Sequence, residues 1–329
     1  MQVLKRLVSA VIGLVLLANF VPVGAQTAPT GSGLSISPTV TEFNLKAGQA
    51  DKLDITLKNI TVNPIIAKAV INDFESDGVT GNPKLIADTS RETPYSIRKF
   101  VIGLEDVPLA VGQQKKITLA LQVPTNTPAG AYFGVVRYKA VPASASTTLA
   151  PGEVSLSASV GTIVLVTIPG NIREQVQLTK LHIFGGTKEK PRDAGLFFTK
   201  PFEAGVGVRS LGNGFIKPYG TVEIKRTFGG TVYTYQLNNS QPRANILPSS
   251  SRTFIDPIKG VNLPGRYTMI ASVSFGSGSD VLVLKKAFWY IPVWLAITLI
   301  VILVVLAILT LLAYRRYRRG ANNRHSHYG

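Results

Sequence analysis

The chain of 329 residues has no cysteine and only three histidines. The absence of cysteine excludes disulfides, thiolate metal sites and a thiol nucleophile. His325 and His327 lie close to the C-terminus, and His182 has no other histidine near it in the sequence. A catalytic or metal-binding histidine needs partners at its site, and the sequence offers none with a recognisable spacing. We therefore predict no catalytic residue, no metal site and no cofactor.

Acidic residues are also scarce, with 18 Asp and Glu against 35 Lys and Arg and a formal net charge of +17. Residues 33–140 contain 12 basic and 10 acidic residues, whereas residues 171–288 contain 16 and 7. A basic domain outside a membrane favours anionic lipid headgroups or anionic wall polymers. A merely solvated basic surface is the alternative. We find no nucleic-acid recognition module and predict no nucleic-acid partner.

Long apolar runs occur only near the two ends of the chain. The first spans residues 7–23, follows Lys5 and Arg6, and ends in small residues up to Ala25. A basic start, a short apolar core and a small-residue exit are the parts of a secretory signal peptide, which we predict for residues 1–25. An uncleaved anchor or a buried helix is the alternative. Residues 26–33 are small and polar and predict a flexible leader.

The second apolar run has no charged residue between Lys286 and Arg315. This exceeds the ~20 apolar residues that a bilayer core requires, so we predict a transmembrane helix at residues 288–314, with a buried core helix as the alternative. Aromatic rings favour the headgroup layer, and a basic cluster favours the cytoplasmic side. The predicted membrane-anchor residues are Trp289, Tyr290, Trp294, Tyr314, Arg315, Arg316, Arg318 and Arg319. Residues 315–329 are thus expected to be a basic cytoplasmic tail, with the remaining chain outside the cell membrane.

Between these ends, short apolar segments alternate with Gly, Pro, Asn and Asp. Leu53, Ile55 and Leu57, for example, are separated by polar residues, which predicts a strand with one buried face. Such strands predict two antiparallel β-sandwiches in series, residues 34–170 and 171–287. The predicted strands span residues 34–37, 52–59, 65–74, 99–103, 115–123, 131–140, 154–168, 175–184, 204–210, 222–228, 232–237, 252–255, 266–275 and 281–284. An Ala, Ser and Thr-rich stretch at residues 142–151 predicts an exposed loop.

Two local patterns bear on the sandwiches. Pro128-Ala-Gly-Ala-Tyr132 has a shorter echo in Pro264-Gly-Arg-Tyr267, which hints at two related domains. Asp73-Phe-Glu-Ser-Asp-Gly78 resembles the start of a calcium loop, but the twelfth position of that loop is Lys84 rather than a bidentate Glu. A charged hairpin loop is the other interpretation, and we do not predict a metal there.

Several segments resemble WxL-interacting and related bacterial cell-surface proteins. They are Leu34-Ser-Ile-Ser-Pro38, Ile55-Thr-Leu-Lys-Asn59, residues 123–134, residues 210–224, residues 246–252 and Phe288-Trp-Tyr-Ile-Pro292. The resemblance implies two immunoglobulin-like sandwiches followed by one transmembrane helix and a basic tail. It also implies cell-envelope binding by the first domain and partner binding by the second, and it supplies no catalytic residue. Within it, Asn213, Gly214, Pro218 and Gly220 are interpreted as structural, a turn followed by a strand edge.

We therefore predict a non-enzymatic, membrane-anchored cell-surface protein that binds or scaffolds envelope components. The expected partner is a wall polymer or a secreted surface protein, and unpaired sheet edges offer one way to bind it. No Leu-Pro-x-Thr-Gly sorting motif precedes the apolar run, so the helix is expected to be the permanent anchor. A cell-wall glycan hydrolase using ectodomain carboxylates and an envelope assembly chaperone are the alternative functions.

Overall fold

The computed structural model describes residues 33–88, 90–143, 159–276 and 280–322, with side chains in the C-terminal helix up to Arg316. The predicted signal peptide, the leader before residue 33 and most of the predicted loop at residues 142–151 lie outside the described residues. The side chains of Arg318 and Arg319 are also outside them.

The described chain consists of β-strands and one helix near its C-terminus, which confirms the predicted all-β class. The first domain contains β1 (Leu34–Ser37), β2 (Val40–Asn44), β3 (Ala50–Asn59), β4 (Ile65–Asn72), β5 (Phe74–Ser76), β6 (Pro83–Leu85), β7 (Val101–Ile102), β8 (Val107–Leu109), β9 (Gln114–Gln122), β10 (Gly130–Pro142) and β11 (Ser159–Ile168). The second contains β12 (Val176–Gly186), β13 (Pro191–Asp193), β14 (Leu196–Phe197), β15 (Glu203–Ser210), β16 (Tyr219–Arg226), β17 (Gly230–Leu237), β18 (Ser251–Pro257), β19 (Gly265–Ser274) and β20 (Val281–Tyr290). Helix α1 (Val293–Asn322) follows.

The first domain is a sandwich of two sheets. One has the strand order β1-β3-β9-β7 and the other β2-β11-β10-β4-β8. Leu53, Ile55 and Leu57 of β3 are fully buried, as their alternation predicts, and they belong to the same core as Val136 and Tyr138 of the opposite sheet. The first domain therefore has a core of its own, formed by the inner faces of the two sheets.

The second domain repeats this topology. Its sheets have the orders β13-β12-β15-β18 and β14-β20-β19-β16-β17, so β12, β15 and β18 correspond to β1, β3 and β9 of the first domain. The parallel pairing of β2 with β11 recurs as the parallel pairing of β14 with β20. The described residues before the helix therefore form a tandem of two immunoglobulin-like β-sandwiches, each with its own core.

The echo between the two proline-containing patterns has a structural counterpart. Tyr132, early in β10, donates a hydrogen bond from its hydroxyl to the carbonyl oxygen of Pro128 at 3.1 Å. Tyr267, in the equivalent strand β19, donates to the carbonyl oxygen of Leu263 at 2.5 Å. Each tyrosine thus ties the start of its strand to the residue four positions upstream, as in the tyrosine corner of immunoglobulin-like domains.

Strand β20 is longer than predicted and shifts the start of the helix. It continues to Tyr290, and α1 begins at Val293 rather than at the predicted residue 288. Phe288 is fully buried and Tyr290 is 5% exposed, both in the core of the second domain. The sequence concealed this strand because apolar residues occupy both of its faces near the end, which removes the alternation that marks a strand.

Candidate functional site

The two domains contact each other through a shared apolar cluster. Phe74, Phe133 and Leu165 of the first domain pack with Leu247 of the second, and Phe215 lies partly buried against them. The ring centroid of Phe133 is 4.9 Å from that of Phe74 and 6.1 Å from that of Phe215. This cluster gives the junction an apolar centre, so the two sandwiches contact each other directly and are not joined only by the connecting chain.

Asn213 makes three hydrogen bonds at the junction, two of them to the first domain and one to Arg173 of its own domain. Its carbonyl oxygen accepts from the N–H of Ala131 at 2.8 Å, and its Nδ2 donates to the carbonyl oxygen of Ala129 at 3.1 Å. Its Oδ1 accepts from the N–H of Arg173 at 2.8 Å. In the motif that contains Asn213, Gly214, Pro218 and Gly220, Gly220 lies in β16, which is paired with β17 and β19 on its two sides. The position of Asn213 against the other domain is a detail that the motif did not predict.

The hairpin of β5 and β6 is a second connection, and it occupies the segment that resembles a calcium loop. The carbonyl oxygen of Val79 accepts from the N–H of Thr253 in β18 at 2.6 Å. Within the turn, the Asp77 carboxylate accepts a hydrogen bond from the Thr80 hydroxyl and others from the N–H groups of Val79, Thr80 and Gly81. These bonds, that of Thr80 foremost, lower the pKa of Asp77. The segment therefore forms a hairpin, as one of the two interpretations of its sequence predicted.

Asp73, at the start of the same segment, is a buried structural carboxylate. Its Oδ1 accepts from the Ser96 hydroxyl at 2.8 Å and its Oδ2 from the N–H of Thr93 at 2.8 Å. The Nε of Arg98 lies 3.4 Å from Oδ1. Among the described residues there is no group of three or more His, Asp or Glu side chains arranged to hold a metal ion.

His182 has charged neighbours that its sequence context does not reveal. Its Nδ1 lies 2.9 Å from Oδ2 of Asp193, and the amines of Lys286 and Lys180 lie 2.6 Å and 3.3 Å from the same carboxylate. Burial alone raises the pKa of Asp193, but hydrogen bonds from Lys286, the Ile183 N–H and His182 outweigh it and hold the pKa far below its usual range. The cluster is an ion-pair network joining β12, β13 and β20.

Two cavities of about 550 and 280 Å³ border Glu42 at the junction of the domains. We call them together the β2 groove, and both are lined by Glu42, Leu165, Arg243 and Asn245. The carboxylate of Glu42 accepts from the Lys217 amine at 2.6 Å and from Nδ2 of Asn245 at 3.0 Å. The second domain therefore forms one wall of a groove whose other wall is formed by β2 and β11 of the first.

Strand β2 provides the edge of its sheet. The N–H of Ile163 donates to the carbonyl oxygen of Thr39 at 2.8 Å, and the N–H of Leu45 donates to that of Thr167 at 3.1 Å. Odd-numbered residues of this segment therefore direct their backbone groups toward β11. Because backbone groups alternate in direction along a strand, those of three residues face away from β11, into solvent. These residues are Val40, Glu42 and Asn44.

The groove combines apolar walls with cationic groups. Val40, Phe43 and Leu165 line it from the first domain. The guanidinium of Arg243 lies over the ring of Tyr219, 4.9 Å from its centroid. A stacked guanidinium is held in place while its N–H donors remain available to a carboxylate. The groove thus offers an unpaired strand edge, apolar surface and a positioned cation.

The predicted membrane-anchor residues fall into two groups. Trp289 is 48% exposed, Trp294 63% and Tyr314 57%, and Arg315 and Arg316 are exposed near the C-terminal end of α1. Tyr290 instead lies in the core of the second domain. The stretch Val293–Arg316 is long and apolar enough to cross a membrane, and none of its apolar window is buried within the protein. A buried core helix is thus not what the fold contains.

Solved structures similar to this chain include fimbrial chaperones. The class 5 fimbriae chaperone CfaA shares 13% identity, over 79% of this chain and 100% of that chain, with a TM-score of 0.38. The E. coli chaperone DraB shares 15% identity, over 78% and 96% of the two chains, with a TM-score of 0.35. The Pseudomonas aeruginosa CupB2 chaperone shares 11% identity, over 77% and 100%, with a TM-score of 0.34. At these values the likeness concerns the fold alone. No protein-family model and no curated protein matched the chain.

Proposed function

We propose that this protein is a non-enzymatic, single-pass membrane protein whose ectodomain binds an extended segment of a secreted surface protein in the β2 groove. The observation that carries the proposal is the unpaired edge of β2, bordered by apolar surface and by Arg243 of the second domain. An extended segment that pairs with an open sheet edge gains affinity from main-chain hydrogen bonds and specificity from pockets for alternate side chains.

The chemistry of the groove also constrains the ligand. Glu42 is already paired with Lys217, so the guanidinium of Arg243 is the cation best placed to receive an added anion. A carboxylate of the bound segment is the natural counterpart, because guanidinium and carboxylate form charge-assisted hydrogen bonds. The bound segment is therefore expected to be extended, apolar at alternate positions and acidic at one of them.

Membrane anchoring is the second part of the proposal. Helix α1 crosses the membrane, with Trp289 and Trp294 at the outer interface and Tyr314 at the inner one. The arginines that follow hold the C-terminal tail in the cytoplasm and the two sandwiches outside. They are Arg315, Arg316, Arg318 and Arg319.

Wall polymer is a second candidate ligand, supported by the excess of 16 basic over 7 acidic residues in residues 171–288. The two candidates use different surfaces, because the charge excess belongs to the second domain and the strand edge to the first. The resemblance to WxL-interacting proteins is in keeping with a secreted partner and stays a prediction. An assembly chaperone for secreted subunits would use the same groove for a subunit that has yet to fold.

Photochemical cross-linking in the producing cells tests the proposal. Val40 is 47% exposed and lines the groove, so it is replaced with benzoylphenylalanine in the full-length chain. The matched control carries the same replacement at Lys116, an exposed position of β9 in the opposite sheet of the same domain. We expect adducts with one secreted protein from position 40 and none from position 116, with the attachment point confined to a short segment.

Two results would count against the proposal. Adducts from both positions with the same proteins would indicate contact without a site. Retention of wall polymer by the full-length chain, with no protein adduct at position 40, would favour the polymer as the ligand.

A further inference from the structure

The connection between the second domain and the helix is very short. Only Ile291 and Pro292 separate β20 from α1. The N–H of Ile291 donates to the carbonyl oxygen of Phe197 at 2.9 Å, and the N–H of Leu295 donates to that of Pro292 at 2.9 Å. The connector is thus hydrogen-bonded to the domain on one side and belongs to the first helical turn on the other. A helix that crosses a bilayer must bring this end of the domain to the lipid surface.

The strand register shows which loops share that end. Gly265, the first residue of β19, pairs with Tyr290, and Arg226, the last residue of β16, pairs with Tyr267. The β16–β17 turn therefore lies beside the end of β20. Strand β14 runs parallel to β20 with Phe197 opposite Tyr290, so Phe198 follows at the same end. The loop before β19 belongs there too, because it leads into Gly265.

This end of the second domain carries most of the exposed large apolar side chains among its described residues. Among its described residues, 171–276 and 280–292, eight large hydrophobic side chains are exposed, and five of them lie at this end. Phe228, at the tip of the β16–β17 turn, is 94% exposed. We call the five the membrane rim, and they are Leu196, Phe198, Phe228, Leu263 and Trp289.

Basic residues surround the rim. Arg266 pairs directly with Trp289 across β19 and β20. Exposed lysines lie in the loops that follow β12, β14 and β18, which the sheet register brings to the same end. They are Lys188, Lys190, Lys200 and Lys259. Apolar rings flanked by such cations match the boundary between acyl chains and anionic headgroups.

We propose that the membrane rim inserts into the outer leaflet of the bilayer that α1 crosses, with its lysines and arginines on anionic phospholipid headgroups. This inference rests on the membrane anchoring in the proposed function and is independent of the β2 groove. The bilayer is the occupant because the two-residue connector leaves no room for another partner between the rim and the lipid. Phe228 lies in the β16–β17 turn and Trp289 in β20, so two attachments beside the helix fix the tilt of the domain.

Insertion of the rim also determines how far the β2 groove lies from the lipid surface. Strand β20 spans ten residues, and a strand rises by about 3.3 Å per residue, so the far end of the second domain lies about 30 Å from the rim along β20. The contacts of Leu247 and Asn213 then hold the first domain beyond it. A rim-seated protein therefore presents the groove at a constant height, out of reach of headgroups.

The absence of cysteine allows a direct test by site-specific fluorescence. Three single-cysteine variants of the full chain, Phe228→Cys, Asn239→Cys and Val304→Cys, are labelled with bimane in vesicles of phosphatidylcholine and phosphatidylglycerol. Asn239 follows the opposite end of β17 and serves as the matched control, and Val304 lies near the middle of α1. The quencher is phospholipid spin-labelled high on its acyl chain or at its centre.

We expect a loss of emission at position 228 with the shallow quencher, a loss at 304 with the deep one, and none at 239. Replacing phosphatidylglycerol with phosphatidylcholine should reduce the loss at 228 and leave that at 304 unchanged. Quenching at 304 with none at 228 would overturn rim insertion while leaving the anchoring intact. Quenching at neither position would overturn the anchoring itself, and equal quenching at 228 in both lipids would overturn the role of anionic headgroups.

Discussion

Single tyrosine side chains tie the starts of β10 and β19 to the residues that precede them. Tyr132 and Tyr267 occupy equivalent positions in the two domains and make the same hydrogen bond to a carbonyl four residues upstream. Tyr138 differs, because its buried hydroxyl has no hydrogen-bond partner among the described residues. Removing a tyrosine hydroxyl that forms a hydrogen bond should lower the free energy of unfolding. Removing a buried hydroxyl without a partner should not, because its burial costs desolvation and no hydrogen bond offsets that cost.

At this scale we predict that Tyr132→Phe and Tyr267→Phe each lower the free energy of unfolding by about 0.5–1.5 kcal/mol. Tyr138→Phe should leave it unchanged or raise it slightly, because no hydrogen bond is lost. Urea unfolding of the three variants, monitored by fluorescence, measures the differences. A cost for Tyr138→Phe as large as for the other two would contradict the assignment.

Asp193 gives a prediction on acid stability. Its pKa in the folded chain lies below the unfolded value of about 3.9, so its contribution is present above that pH and is lost as the pH falls below it. Asp193→Asn should therefore destabilise the protein at pH 7 and flatten the decline in stability between about pH 5 and 2.5. Urea unfolding across this range is the measurement, with Asp280→Asn as the control. A decline as steep in Asp193→Asn as in the wild type would be inconsistent with this role.

Among the elements, β3, the β5–β6 hairpin and β2 differ in how well sequence patterns predict them. The alternation of apolar and polar residues predicted β3 and its buried face, because a strand with one face in solvent shows that pattern. The strands of the hairpin have three residues each, too few to show alternation, so the hairpin was predicted only as a charged loop. Strand β2 was not predicted, since its five residues are partly or largely exposed and form an edge. Edge strands bury little, so hydrophobic periodicity reports them poorly.

The hairpin leads to a prediction about the junction of the domains. Asp77→Ala removes the hydrogen bonds that shape the turn, and the carbonyl of Val79 then loses its alignment with the N–H of Thr253. We expect the amide of Thr253 to exchange severalfold faster with solvent, while that of Met269 in the core of the second domain stays unchanged. Hydrogen exchange resolved by peptide mass spectrometry tests this. Unaltered exchange at Thr253 would show that the hairpin does not depend on Asp77.

Strand β20 leads to a prediction about where the second domain ends. A chain stopped after Lys286 lacks Phe288 and Tyr290, and truncating a buried aromatic side chain typically costs about 3–5 kcal/mol. Two such losses approach the whole stability of a domain, about 5–15 kcal/mol. We expect a chain ending at Pro292 to show cooperative thermal unfolding of both domains and one ending at Lys286 to lack that of the second. Equal thermal transitions would mean that the last turn of β20 is dispensable.

On the scale of the whole molecule, the two sandwiches contact each other, and one helix follows the second. The alternating segments predicted two β-domains and the long apolar run predicted the helix, because both are local properties of the chain. The junction is not local. Glu42 and Lys217 are 175 residues apart, and the network of His182, Asp193 and Lys286 spans three strands. No period in a single sequence reports such pairs, so the β2 groove and the ion-pair network emerge only from the folded chain.

The central claim is that the β2 groove binds an extended segment by pairing with the edge of β2. The most direct measurement uses a synthetic peptide of the segment cross-linked at position 40, added to the full-length chain in micelles, with backbone amide exchange read by NMR. We predict slower exchange at Val40, Glu42 and Asn44, no change at Ile102 on the edge of the opposite sheet, and loss of the effect in Glu42→Pro, which removes an outward N–H. Peptide binding that leaves these three amides unprotected would contradict the account.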